Sequence, residues 1–339
     1  MKYFIVLFFL VLLFSCRKDV EIPSEDAIAF SVPKGWPKPF YNFEGNALTQ
    51  DGFELGRKLF YDKKLSRDGT ISCGSCHQQF VAFAHADHPR SHGIHGLFGK
   101  RNSPALFNLN WNTTFMADGG VNHITVQPLA PLQDKVEMDN SISNILIYLQ
   151  SNSDYKTSFK KVFGSDNIDS QKMLFALTQF MGAMVSSTSK YDKVETNESS
   201  FTSSEMAGKS LFMSTCNHCH TAPLFTDNNF YNIGLEPNIA LQDSGRMRIT
   251  LLASDRHKFR TPSLRNIELT GPYMHDGRFS SLTMAIDYHI NKPFAMPNVD
   301  PSISNASKLS SEELAKIIAF LKTLTDYEFC KDKRFSEPY

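Results

Sequence analysis

The residues best suited to chemistry fall in two short stretches, Cys73-Gly74-Ser75-Cys76-His77 and Cys216-Asn217-His218-Cys219-His220. Each reads Cys-x-x-Cys-His, the attachment signature of a c-type haem. Thioether bonds from the two cysteines fix the porphyrin edge, and the adjacent histidine reaches the iron as proximal ligand. A single copy is also compatible with half a zinc site or a redox dithiol. Two copies, each ending in histidine, weigh against both. What the chain can do then depends on what faces each iron on its other side.

The bulk of the sequence must position these two motifs. Its 339 residues suggest two domains of ordinary composition, 41% hydrophobic and 21% charged. Lys plus Arg and Asp plus Glu balance at 35 each, so nothing points to nucleic acid or to a strongly acidic partner. The 28 phenylalanines, against 2 tryptophans, suit an aromatic core, and two buried macrocycles would use such rings. Four of the six cysteines belong to the motifs, Cys16 to the leader, and Cys330 is a lone thiol near the C-terminus. This is not a disulfide framework.

Lys2 precedes an apolar run from Phe4 to Phe14, the length of a signal-peptide core and too short to span a bilayer. It ends in Leu13-Phe14-Ser15-Cys16, which resembles a bacterial lipoprotein box with Cys16 as the lipidated first mature residue. Ordinary cleavage is the alternative, and either way the chain is exported. Residues 1–15 then read as signal peptide, and 16–40, rich in Pro and charge, as a lipidated tether to a membrane surface.

Helical spacing over Leu48–Tyr61 leads through the turn signal Asp68-Gly69 into the first motif. The polar stretch beyond it carries His85, His88, His92 and His95, with His85 and His88 expected on a solvated loop. Arg101-Asn102-Ser103-Pro104, Asp118-Gly119-Gly120, Gln127-Pro128 and Val136-Glu137-Met138 then suggest loops that shape a pocket. Helices are expected over Ser141–Leu149, Tyr155–Phe163 and Gln171–Val185. In the second half, Thr202-Ser203-Ser204-Glu205 is a capping box that starts a helix through Phe212 into the second motif. Arg260-Thr261-Pro262 and Thr270-Gly271-Pro272-Tyr273-Met274-His275-Asp276-Gly277 follow. A helix is expected over Ser281–Ile290, and a second capping box at Ser310–Glu313 opens the last one.

This ordered set of motifs, from about residue 45 to 328, resembles the bacterial di-haem cytochrome c peroxidases. The di-haem enzyme that matures methylamine dehydrogenase shares the pattern. The resemblance implies a mostly α fold of two cytochrome-c-like haem domains, about 41–200 and 201–339, with the haems near their interface. The first would be the peroxidatic domain, with His77 proximal, and the second the electron-transfer domain, with His220 proximal.

Peroxide cleavage needs an openable iron site and a base that moves a proton from one oxygen to the other. The resemblance assigns that base to Glu137, with Gln127 beside it. Taken alone, Glu137 reads as a surface carboxylate, because Glu is mostly exposed. The flanking Val136 and Met138 and the matched spacing favour the pocket. Where many relatives carry a resting histidine ligand to the first iron, this chain has Ile94, flanked by His92 and His95. The sixth ligand of the second iron aligns to His289, where relatives carry Met or Tyr; Met274 and Tyr288 are rivals. Imidazole on both faces lowers a haem potential relative to a His/Met pair. The resemblance further implies one calcium between the haems, held by the Asn102 side chain and the carbonyls of Thr270 and Pro272. The tryptophan that relatives place between the haems is here Ala117.

The function implied is a periplasmic, lipid-anchored peroxidase that reduces hydrogen peroxide with electrons from a small redox protein, a cytochrome c or cupredoxin. A homodimer is compatible with it. Peroxide-driven oxidation of a partner protein or organic substrate is the second reading, and a non-enzymatic di-haem electron carrier the third.

Overall fold

The computed structural model describes residues 26–291, 295–304 and 308–338. The expected signal peptide, Cys16 and the first part of the tether lie outside the described residues. Residues 26–40 do not hang free: Ile28 N–H bonds Leu48 O at 2.9 Å, Phe40 N–H bonds Asn110 O at 2.8 Å, and Trp36 packs edge-on to Trp111 at 4.9 Å. Residues 26–40 are thus packed against the first half, which corrects the expectation of a tether for this part of it. Apolar and aromatic residues in this stretch, Ile28, Phe30 and Trp36, outweigh its Pro and charge.

The first half is built on α1 (Gln50–Tyr61), α2 (Ile142–Ser151), α3 (Ser153–Phe163) and α4 (Ser170–Gly182). Each is capped by a side chain at its N-terminus: Thr49, Ser141, Asn152 and Asp169 accept from the first-turn amides. In α1 the apolar positions Phe53, Leu55, Leu59 and Phe60 form one buried face. That face meets α4, where Phe180 lies 5.3 Å from Phe53 and 5.1 Å from Phe60, ring to ring. The two helices approach backbone to backbone at Gly56, where a Cβ would collide with the Ala176 carbonyl.

The second half repeats the device. After the short α5 (Lys190–Glu195), which ends the first half, α6 (Ser203–Thr215) starts at the Thr202/Glu205 capping box and delivers the second motif. It crosses α8 (Ser311–Lys322), itself opened by the Ser310/Glu313 box, at Gly208, where a Cβ would meet the Lys316 carbonyl. Phe212, Phe225 and Phe320 fill the contact. Between these helices runs α7 (Leu282–Asn291). Strands β1 (Phe230–Tyr231) and β2 (Phe259–Arg260) pair antiparallel, Phe230 with Arg260, and are the only paired strands among the described residues.

Two buried cores follow, one around α1 and α4 and one around α6 and α8. The halves exchange terminal pieces. Phe329, Cys330 and Phe335, at the chain's end, pack into the first core, and Tyr191, on α5, packs into the second. Cys330 is thus a buried core thiol, pushed up to about 11 by burial. No helix among the described residues is long and apolar enough to cross a membrane.

Candidate haem sites

Around the first motif the backbone makes a single helical turn, Cys73–Cys76, opened by Ser72 with Ser75 and closed by His77 N–H on Cys73 O. The His77 ring is half-buried, and desolvation pushes its pKa down to about 4. It is neutral at any ordinary pH. Its Nδ1 sits 3.0 Å from Phe83 O, with the Pro104 carbonyl also in reach. A carbonyl only accepts, so Nδ1 carries the proton and donates, and Nε2 keeps its lone pair for a metal. Phe83 holds its carbonyl there by a left-handed backbone (φ 59°), with its ring clasped by Phe60, Phe329 and Phe335.

The second motif has the same construction. His220 Nδ1 lies 3.1 Å from Phe225 O, near the Pro262 carbonyl, and burial lowers its pKa. Phe225 is again left-handed (φ 56°). None of the four motif cysteines is joined in a disulfide. Cys73 and Cys216 are each pushed up to about 12, mainly by burial. Paired thiols beside a neutral imidazole with one committed nitrogen are what covalent haem c requires, and the residues fit it at both motifs.

His289, on α7, is also pushed down to about 4, first by burial and second by the nearness of His220. His220, whose Nδ1 is already spoken for, is therefore near enough to act on the His289 ring. Of the rivals, Tyr288 has its hydroxyl engaged otherwise. Tyr288 OH accepts from Glu236 N–H at 3.1 Å and donates to Gly234 O at 3.3 Å. Met274 sits in a left-handed turn (φ 72°) whose carbonyl accepts from Gly277 N–H at 3.1 Å.

Glu137 comes to the first motif. Its carboxyl is raised above the ordinary range, mainly by burial; a hydrogen bond from Ser91 opposes this, and Asp134 adds to it. Its charge in turn pushes the Cys73 and Cys76 thiols up, so the carboxylate stands beside the attachment cysteines. The backbone there is tightly built. Ile94 N–H bonds Glu137 O at 2.9 Å, and a Cβ on Gly93 would strike Val136 O and the Glu137 backbone. Cys76 Sγ contacts His92 O at 3.3 Å, which seats the same loop on the motif. Gln127 points its amide at Met116 Sδ, 3.9 Å away, and makes no hydrogen bond to Glu137 among the described residues.

The histidines of the intervening loop divide. His85 is buried at 3% exposure, which corrects the expectation of a solvated loop; the hydrophobic Val81–Ala84 run carries it inward. His88 is half-buried and stacks on His92 at 4.8 Å, and His95 turns outward toward Asp68. Ile94, where relatives carry a histidine, is buried at 1%.

Asn102 comes next to the 270–277 loop: its N–H bonds His275 O at 2.8 Å, while its side-chain amide donates to Pro89 O at 3.0 Å. Among the described residues no group of three or more His, Cys, Asp or Glu side chains is gathered for a metal, but neutral carbonyl donors fall outside that pattern. Trp111 is occupied in packing, with its Nε1–H on Pro37 O at 2.8 Å.

Two features were missed in the residue pattern. One is the buried ion network of Arg101, which grips Asp243 at 2.6 and 2.7 Å and Asp118 at 2.7 Å. The other is an internal repeat. Phe115-Met116-Ala117-Asp118-Gly119 and Tyr273-Met274-His275-Asp276-Gly277 share their type pattern, a left-handed Met and Gly, and a bridge to the residue two beyond the glycine. Comparing the two halves of the sequence with each other would have exposed it.

The family model for di-haem cytochrome c peroxidase matches residues 50–200, and that for cytochrome c matches residues 205–325. The methylamine utilization protein MauG of Methylorubrum extorquens is 31% identical over 301 residues, covering 87% of this chain and 83% of its own length. Cytochrome c551 peroxidase of Nitrosomonas europaea is 33% identical over 284 residues, covering 81% of this chain and 80% of its own. A solved MauG-like protein associated with microbial copper homeostasis superposes with a TM-score of 0.84 at 32% identity, covering 92% of this chain and 99% of its own. The paired motifs, the mostly helical fold and these likenesses agree: the chain belongs to the di-haem cytochrome c peroxidase family.

Proposed function

We propose that the protein is an exported, lipid-anchored peroxidase that reduces hydrogen peroxide to two waters, taking two protons and, one at a time, two electrons from a cytochrome c or cupredoxin. The observation that carries this is Glu137, a half-buried carboxyl beside the first motif whose pKa is raised, whereas Asp227, the carboxylate near the second motif's Cys219, is lowered. Cys73 and Cys76 would hold one haem with His77 as proximal ligand. Cys216 and Cys219 would hold the other, with His220 and His289 as its two axial ligands. Haem iron supplies the redox chemistry at both places.

The chain's own part is to move protons and fix ligands. Glu137 takes a proton from one peroxide oxygen and returns it to the other, and the raised pKa that desolvation gives its carboxyl favours holding the proton between the two transfers. Ser91 tunes it by bonding the charged form. Phe83 and Phe225 hold the proximal rings in one tautomer. Asn102, Thr270 and Pro272 would offer neutral oxygens to one calcium at the seam between the halves; its removal by a chelator should slow reduction of one haem by the other.

Peroxide-driven oxidation of a partner protein is the second reading. It is favoured by His289, which departs from the Met or Tyr of relatives, and by the likeness to proteins named MauG. The test is peroxide consumption by the holoprotein with a reduced cytochrome c or cupredoxin. Catalytic oxidation of the donor, two per peroxide, supports the first reading. Consumption only in the presence of a protein that becomes covalently modified supports the second. No peroxide reaction in any redox state leaves an electron carrier.

A further inference from the structure

Arg260 is a half-buried cation that no carboxylate among the described residues faces. Its Nη1 donates to Asn228 Oδ1 at 3.2 Å, and its Nε is buried with no hydrogen-bond partner. Burial alone pushes its guanidinium down to about 10, with no carboxylate offsetting it. Three other arginines of the interior are treated differently. Arg265 is gripped by both oxygens of Asp192 at 2.9 and 2.8 Å, Arg101 holds Asp118 and Asp243, and Arg278 holds Asp276 at 2.7 Å. A protein interior tolerates a guanidinium when an anion faces it. At Arg260, among the described residues, the chain supplies none.

The position of Arg260 says which anion is missing. Two residues on, the Pro262 carbonyl approaches the His220 ring, and Thr226 Oγ1 bonds Thr261 O at 2.7 Å. Asn228, the partner of Arg260, stands on the loop that leaves the second motif. Arg260 N–H bonds Ala117 O at 2.8 Å, which fixes its backbone at the seam of the two halves. The side chain thus belongs to the shell around His220. A haem c held by Cys216 and Cys219 would bring two propionate carboxylates with it, and a guanidinium fork matches a carboxylate.

We propose that Arg260 is the counter-cation of a propionate on the haem attached through Cys216 and Cys219. The inference rests on the reading that the second motif carries haem c. A fixed cation there disfavours the ferric form and keeps the propionate ionised, so it raises the potential of the second haem and makes it insensitive to pH.

The test is spectroelectrochemistry of the holoprotein across the neutral pH range, with Arg260→Met, Arg260→Gln and Arg260→Lys, after haem content per chain has been measured. In the unaltered protein the second haem's potential should be flat with pH. In Arg260→Met and Arg260→Gln it should fall and become pH-dependent while the first haem's potential stays unchanged, and Arg260→Lys should restore most of it. The propionate bending band in resonance Raman should move with the same variants. Two haems per chain with no selective shift, or a steep pH dependence already in the unaltered protein, overturns the assignment and leaves the peroxidase reading intact. A chain with haem at the first motif only overturns both. If the uncharged variants fail to fold, the unaltered protein's pH profile and Arg260→Lys still decide.

Discussion

The amide of Asn102 donates to the carbonyl of His275 at 2.8 Å, reaching from the first half of the chain into the second. The counterpart residues return the bond: Arg260 N–H donates to Ala117 O, also at 2.8 Å. Asn102 and Arg260 each stand two residues before a proline whose carbonyl faces a motif histidine, and Ala117 and His275 each sit between Met and Asp of the repeated turn. The pseudo-equivalent loops thus exchange hydrogen bonds across the seam. With the swapped terminal pieces, this makes each motif's shell depend on the other half. Thermal unfolding followed by circular dichroism and by the absorbance of each haem should therefore give one coincident transition. Two separated transitions would show the halves to be independent.

Gly93→Ala should damage the peroxide site without touching a titratable group. The new methyl has to displace the Glu137 backbone. Overpacking of this kind costs about 1–3 kcal/mol. The expected outcome is a lower melting temperature together with a lower rate of peroxide reduction, measured with haem content held equal. Full activity in Gly93→Ala would mean that the position of Glu137 is not critical.

Ser91→Ala tests how Glu137 is tuned. The Ser91 hydrogen bond favours the charged carboxylate and holds down a pKa that burial raises. The base form is the active one, so the rate is lost as pH falls through that pKa. Without Ser91 the pKa rises further, and the acid limb of the pH–rate profile should move to higher pH. An unmoved limb would mean that another group titrates there.

His289→Met should raise the potential of the second haem, because a His/Met pair favours the ferrous state relative to two imidazoles. A redox titration followed optically at both haems measures it. No change at either haem would mean that His289 does not ligate iron.

Much of this was legible in the sequence. The capping boxes at Thr202 and Ser310 and the apolar spacing of Leu55, Leu59 and Phe60 in α1 depend on neighbours within one or two turns, and the structure bears out those elements. The pairing of Gly93 with Glu137 was not legible, because it joins residues far apart in the chain through a contact that leaves no periodic trace. His85 misled for a related reason. Polar neighbours argued for a loop in solvent, while the buried Phe83–Ala84 pair beside it decided the outcome. The bare charge of Arg260 was invisible for the opposite reason, since only a finished fold shows which partner is absent.

The central claim is that Glu137 is the proton-moving group at the first haem site. Steady-state peroxide reduction by Glu137→Gln, at matched haem content and with a reduced donor in excess, tests it most directly. Loss of a general acid–base group costs about 10²–10⁴-fold. The account predicts a fall of that size in kcat/KM, with the proximal ligation of both haems unchanged by EPR. A variant with unaltered kcat/KM would contradict it.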